Sequence, residues 1–166
     1  ARHCIVLRWF DEIIVESISR MLGNYDTFFE TKASIYQMLT DLRFVDSLGN
    51  RAVFHSQTRQ GLLEYYQNTD PDFLIKSAHT AAMIYLTHPD QPSAEIEALF
   101  CYTASGQEEN ALEILDKLLI QNSEVNNWRK ILVLFDTLTD AASLSLAKPL
   151  PLTESHYFIR GIAFDQ

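Results

Sequence analysis

The sequence predicts a mainly helical protein with one small two-stranded β-wing in its first half. Three observations carry that expectation. Apolar residues recur at helical spacing along most of the chain, two short β-prone runs flank a turn-rich stretch at 46–50, and from residue 56 onward the helical period is unbroken except by proline. Hydrophobic residues fill 47% of the 166 positions and charged residues 21%, enough to build one domain or two small ones.

The chain opens on the apolar run "CIVLRWF". Asp11 and Glu12 then precede Ile13, Ile14, Val15, Ile18, Met21 and Leu22 at helical spacing, and Gly23 is the expected stop. Acidic residues suit the positive end of the helix dipole, and glycine suits the left-handed cap that ends a helix. A second helix is expected over 28–42, with Ile35, Met38, Leu39 and Leu42 on one face. The segment "LRFVDSLGNRAVFH" follows as two β-prone runs joined by a turn at Asp46-Ser47-Leu48-Gly49-Asn50. Helices leading into a two-stranded wing make a winged-helix unit, assigned to residues 1–67. Its last helix runs over 56–66, with Ser56 suited to cap it.

The remainder reads as a helical arm over 68–148. Residues 72–86 form a helix whose stripe is Leu74, Ile75, Ala78, Ala82, Tyr85 and Leu86. The segment "HPDQP" breaks it, because proline cannot donate a backbone hydrogen bond. Two helices then meet at Ser105-Gly106-Gln107, a turn short enough to make them antiparallel. A helix over 128–138 is anchored by Trp128, "KPLPLT" is a second break, and residues 149–166 form a linker and the start of a possible further repeat.

Charge and motif content exclude several function classes. Residues 1–70 carry 7 basic and 9 acidic side chains, whereas 71–166 carry 6 and 13, so the arm repels polyanions and a nucleic-acid partner is not expected. No apolar run is long enough to cross a bilayer and no secretory signal is evident, which places the expected location in the cytoplasm, away from membranes. Cys4 and Cys101 sit among apolar neighbours and read as inert core thiols. His3, His79, His88 and His156 have no metal-ligand spacing, so no metal is expected. Five glycines, none followed by lysine, leave no loop able to cradle phosphates. The acidic pairs Asp11/Glu12, Glu108/Glu109 and Asp70/Asp72 read as helix-start residues, and no catalytic residue is assigned. The chain is accordingly not expected to be an enzyme by itself.

Within this order, Phe54-His55-Ser56-Gln57-Thr58-Arg59-Gln60-Gly61-Leu62 resembles the aromatic-His-Asp-x-x-Arg-x-x-Leu element that follows the wing in STAND-type signalling NTPases. "RWFDEIIVESISRMLG" and "MLTDLRFVDS" resemble the passages that lead into that wing, and the likeness spans roughly residues 5–122. The closing "YFIRGIAF" is similar to the first helix of a tetratricopeptide repeat, with Gly161 and Ala163 as its small positions. Ser56 stands where the family has an acidic residue.

The resemblance implies a regulatory and protein-interaction segment of a larger signal-transduction ATPase. In it, His55 contacts the phosphate of an ADP held by an upstream nucleotide-binding domain, Arg59 is a weaker candidate for the same contact, and the arm binds a protein partner. The chain itself holds no cofactor; ADP or ATP belongs to the full-length protein. Read without the resemblance, His55 is a strand-end histidine that caps the next helix or satisfies a carbonyl, and Arg59 pairs with an acidic neighbour or faces water. Two rival functions remain open. One is a DNA-binding regulator presenting "TKASIYQMLTDL" with Lys32, Arg43 and Arg51, and the other is a stand-alone helical-repeat adaptor.

Overall fold

The structure, a computed structural model, describes residues 2–22, 34–91, 93–144 and 146–166. Those residues are mainly helical and carry one small antiparallel sheet. A 3-10 helix at Arg2–Val6 is followed by α1 (Glu12–Met21), α2 (Ile35–Thr40), β1 (Val45–Leu48), β2 (Arg51–Phe54), α3 (Ser56–Thr69) and α4 (Pro71–Thr87). Four more helices complete the order: α5 (Ala94–Ala104), α6 (Glu108–Glu124), α7 (Trp128–Ser143) and α8 (Glu154–Phe164).

Local chemistry sets most of these boundaries. Asp11 caps α1, its carboxylate accepting the Ile14 amide at 2.9 Å, and Ser34 caps α2 by accepting from Gln37 at 3.2 Å. The expected stop at Gly23 and positions 28–33 of the expected second helix lie outside the described residues. Within them α2 ends at Thr40, so Leu42, expected on its apolar face, belongs to the turn that leads into β1. Asp70 ends α3 and also caps α4, accepting the Phe73 amide at 3.2 Å, while Pro71 takes the first helical position where no amide is needed.

The hairpin pairs Val45 with Phe54, Asp46 with Val53, Ser47 with Ala52 and Leu48 with Arg51. The expected five-residue turn therefore shrinks to Gly49-Asn50, with Gly49 at φ +68°, because a two-residue turn with positive φ matches the twist of the flanking strands. Phe10 adds a bridge on the other side of β2. It exchanges both backbone bonds with Ala52, at 2.9 and 2.7 Å, so β2 lies between β1 and Phe10.

The arm winds around α5, which is buried on nearly every side. Helices α4, α6 and α7 all pack on it, and α8 packs on α7. Two matched turns produce this order. At the end of α5, the Gln107 amide donates to Tyr102 and the Gly106 amide to Thr103; at the end of α6, Asn127 donates to Asn122 and Asn126 to Ser123. Both are Schellman caps, with the left-handed position filled by Gly106 (φ +72°) and Asn126 (φ +52°). Helices α3, α4 and α7 each run beyond the bounds expected for them. The buried face of α4 is also wider than one stripe, taking in Ser77, Ala81 and Ile84, because the N-terminal segment and α5 cover it from two sides.

The two unusual glycines make opposite predictions. Gly106→Ala places a side chain at positive φ and 3.1 Å from the Ala147 methyl, and is expected to lower stability by about 1–2 kcal/mol. Gly161→Ala meets nothing within 4 Å in the middle of α8 and is expected to raise it by about 0.5–1 kcal/mol. Urea unfolding of the two variants beside the parent chain reads both signs.

Candidate functional site

The sequence points to the exit of the hairpin, where β2 passes through His55 into α3. His55 occupies the N-cap position of α3, but its ring makes no capping bond. Its Nε2 lies 3.1 Å from the Asp46 carboxylate on β1, across the hairpin. The pairing of Asp46 with Val53 brings the acid within reach of a ring two residues farther along β2's path. Neither partner is sequestered: the side chains are 43% and 62% exposed. His55 thus caps nothing with its ring and satisfies no carbonyl with it, contrary to the bare sequence reading. Ser56, expected as the cap, is the first residue of the helix, because the Arg59 amide closes its turn on the His55 carbonyl at 2.9 Å.

Arg59 lies one turn along the same helix and faces the other way. Its Nε donates to the carbonyls of Ile5 and Leu7 at 3.0 and 3.1 Å, and its Nη2 to that of Val6 at 3.1 Å. The guanidinium therefore caps the C-terminal end of the 3-10 helix, where carbonyls lack partners and a cation is favoured. Burial pulls its pKa below the usual guanidinium value. Among the described residues Arg59 pairs with no acid, and although partly exposed it is engaged by these carbonyls, unlike the two roles expected of it without the resemblance. The hairpin exit does not bring His55 and Arg59 to one point. His55 is free to meet a group arriving at the wing's outer surface, whereas Arg59 is committed to the N-terminal segment.

Other residues carry more of the polar structure than sequence reasoning assigned them. Arg8 reaches Glu97 with both arms of its fork, Nε to Oε2 at 3.1 Å and Nη2 to Oε1 at 2.8 Å. Its Nη1 donates to Thr137 Oγ1 at 3.3 Å, and the guanidinium lies 4.9 Å from the centre of the Phe100 ring. Glu97 is 4% exposed. The available signal was one arginine inside "CIVLRWF" and one glutamate inside an apolar helix, each needing a buried partner.

His156 is a second residue that the motif search passed over. The Thr153 amide donates to its Nδ1 at 2.9 Å, which leaves the ring proton on Nε2 to donate to Asp116 of α6 at 2.7 Å. The histidine thereby starts α8 and ties it to the arm.

The wing's cations are partly engaged, since Arg51 stacks on the Trp9 ring with its guanidinium 3.8 Å from the ring centre. Lys32 of the candidate recognition helix lies outside the described residues. Both thiols are buried and unpaired in disulfides; burial raises the pKa of Cys4 to about 11 and that of Cys101 further. Among the described residues, no group of three or more His, Cys, Asp and Glu could hold a metal ion, and no helix is long and apolar enough to cross a membrane.

No protein-family model matches the chain, and neither does a curated protein or a solved structure.

The histidine nearest the N-terminus supplies a pH prediction. His3 Nδ1 bonds Ser77 Oγ at 2.8 Å and its ring packs against Phe73, and its pKa is lowered from 6.5 to about 4 by burial first and then by neighbouring cations, Arg2 foremost. The unfolded chain therefore binds this proton near pH 6.5 and the folded chain only near pH 4. The stabilisation from neutral His3 is complete above pH 6.5 and is lost as the pH falls toward 4. Urea midpoints compared at pH 7 and 4.5 should fall more for the parent chain than for His3→Gln, and equal falls would contradict the assignment.

Proposed function

We propose that the chain is the regulatory and protein-interaction segment of a larger signal-transduction ATPase, with residues 1–67 acting as a winged-helix unit and the helices beyond as a repeat-like arm. The observation that carries this reading is the path of the chain around the hairpin. Among the described residues a helix, a two-stranded wing, an exposed histidine at the wing's exit and a helix with Arg59 four residues after that histidine follow one another as in the resemblance, and helices joined by matched turns succeed them.

The chemistry at the exit supports a contact made outside this chain. An imidazole that is 43% exposed and held, among the described residues, by an exposed carboxylate can exchange that partner for a phosphate oxygen at little cost, since exposed ion pairs contribute about 0–1 kcal/mol. Arg59 plays a supporting part in this reading, fixing α3 to the N-terminal segment so that the exit holds one orientation. The arm is the side that meets a protein partner, and its excess of acidic groups favours a partner with a basic face. Partner binding then shifts the nucleotide state by favouring one arrangement of arm and nucleotide domain over another.

The first test is the extent of the native polypeptide, read by intact mass and peptide mapping. A longer chain with a phosphate-binding loop before these residues supports the reading, and a native product of about 166 residues overturns it. In the longer protein, His55→Ala should speed ADP loss. Asp46→Ala, which frees the ring, should slow it or leave it unchanged. Equal ADP retention in His55→Ala and the parent would remove the sensor role.

A further inference from the structure

The nine residues from Arg2 to Phe10 lie between the hairpin unit and the arm, and their polar contacts reach into both. Toward the hairpin, Phe10 exchanges two backbone bonds with Ala52, and the carbonyls of Ile5, Val6 and Leu7 accept from Arg59. Toward the arm, His3 bonds Ser77 of α4, the Trp9 carbonyl accepts from the buried hydroxyl of Tyr85 at 2.8 Å, and Arg8 holds Glu97 of α5 and Thr137 of α7. The two units also meet through α1 on α4, Ser17 to His88 at 3.3 Å and Gln67 to the Leu144 carbonyl.

We propose that this segment is a coupling strap: it makes the hairpin unit and the arm one cooperative body, and the Arg8–Glu97–Thr137 node is the joint at which they release. The argument rests on where the charges sit. Glu97 lies in a helix covered by three others, and removing the Arg8 guanidinium leaves a buried carboxylate in the arm's interior without the cation that bonds both its oxygens. Withdrawal of the strap is therefore registered by α5 directly. The coupling is reciprocal, so whatever tightens α5 on α7 also holds the strap in place.

Arg8 meets the requirement in a way lysine cannot. Its planar fork covers both carboxylate oxygens while the third nitrogen reaches Thr137, so one side chain ties the strap to two helices at once. In the reading proposed above, on which only this step rests, a partner seated on the arm acts on the nucleotide domain through the strap. The histidine at the wing exit then reports the result and does not transmit it.

The test uses the whole chain without nucleotide, so its outcome is separate from that of the ATPase reading. The two tryptophans fall on the two sides of the question: Trp9 lies in the strap and Trp128 in α7. Urea unfolding followed by Trp9 in a Trp128→Phe background and by Trp128 in a Trp9→Phe background should give one shared midpoint. Arg8→Ala with Glu97→Gln, which removes the joint without stranding a charge, should separate the midpoints by more than about 0.5 M urea. Midpoints that already differ in the parent, or that stay together in the double variant, overturn the proposal.

Should the double variant fail to fold, Arg8→Lys keeps the charge and loses the fork. Backbone hydrogen exchange should then quicken by about tenfold in both 2–10 and 94–104. Quickening in only one of the two, or in neither, refutes the coupling.

Discussion

A carboxylate inside a helix that is buried on nearly every side is the constraint on which the rest of the molecule turns. Glu97 sits in the first turn of α5, between Ile96 and Ala98 and one turn from Cys101, almost wholly shielded from water. Burying such a group calls for a matched hydrogen-bonding partner, and the partner, Arg8, comes from outside the arm. Well-packed apolar residues of similar volume often replace a buried ion pair with no loss of stability, so the pair's contribution is better sought in direction than in energy. Two bonds to two oxygens fix the orientation of the guanidinium, and with it the line along which the N-terminal segment crosses the arm.

Around that centre the arm is regular. The turns after α5 and α6 use the same pair of backbone bonds, one with glycine and one with asparagine at the left-handed position. These turns bring α6 and α7 back alongside α5, and both pack on it. Helix α8 departs from the pattern, arriving after a proline-containing linker, and a histidine both starts it and ties it to α6. Regular turns suffice where helices follow closely, and a dedicated polar contact appears where the chain has wandered.

Much of this was legible in the sequence and some of it could not be. Ser105-Gly106-Gln107 announced its turn because glycine is the cheapest residue at positive φ, and Asp11 announced a helix start because its carboxylate can meet a free amide. The hairpin was visible but its turn was not: Asp46 and Ser47 favour turns, and cross-strand pairing with Val53 and Ala52 overrides that preference. The same register is what sets Asp46 beside His55, so the candidate site could not be drawn before the pairing was known. Arg59 was visible as an arginine in the right place, but its partners are three carbonyls more than fifty positions earlier. Arg8 and Glu97 were each readable as a charge in apolar surroundings, and 89 positions of separation hid the fact that each answers the other.

That separation bears on how the chain acquires its structure. The apolar run at Cys4–Leu7 leaves the ribosome well before α7 does, since Arg8 bonds a threonine 129 positions later. Until α7 has emerged, an apolar segment carrying a charge meant for the interior has no complete place to go. Closing so long a loop is slow, and such stretches are where nascent chains stick to one another. The segment that bonds to both units therefore waits for residue 137 to appear, and through that interval its apolar surface is open to wrong partners.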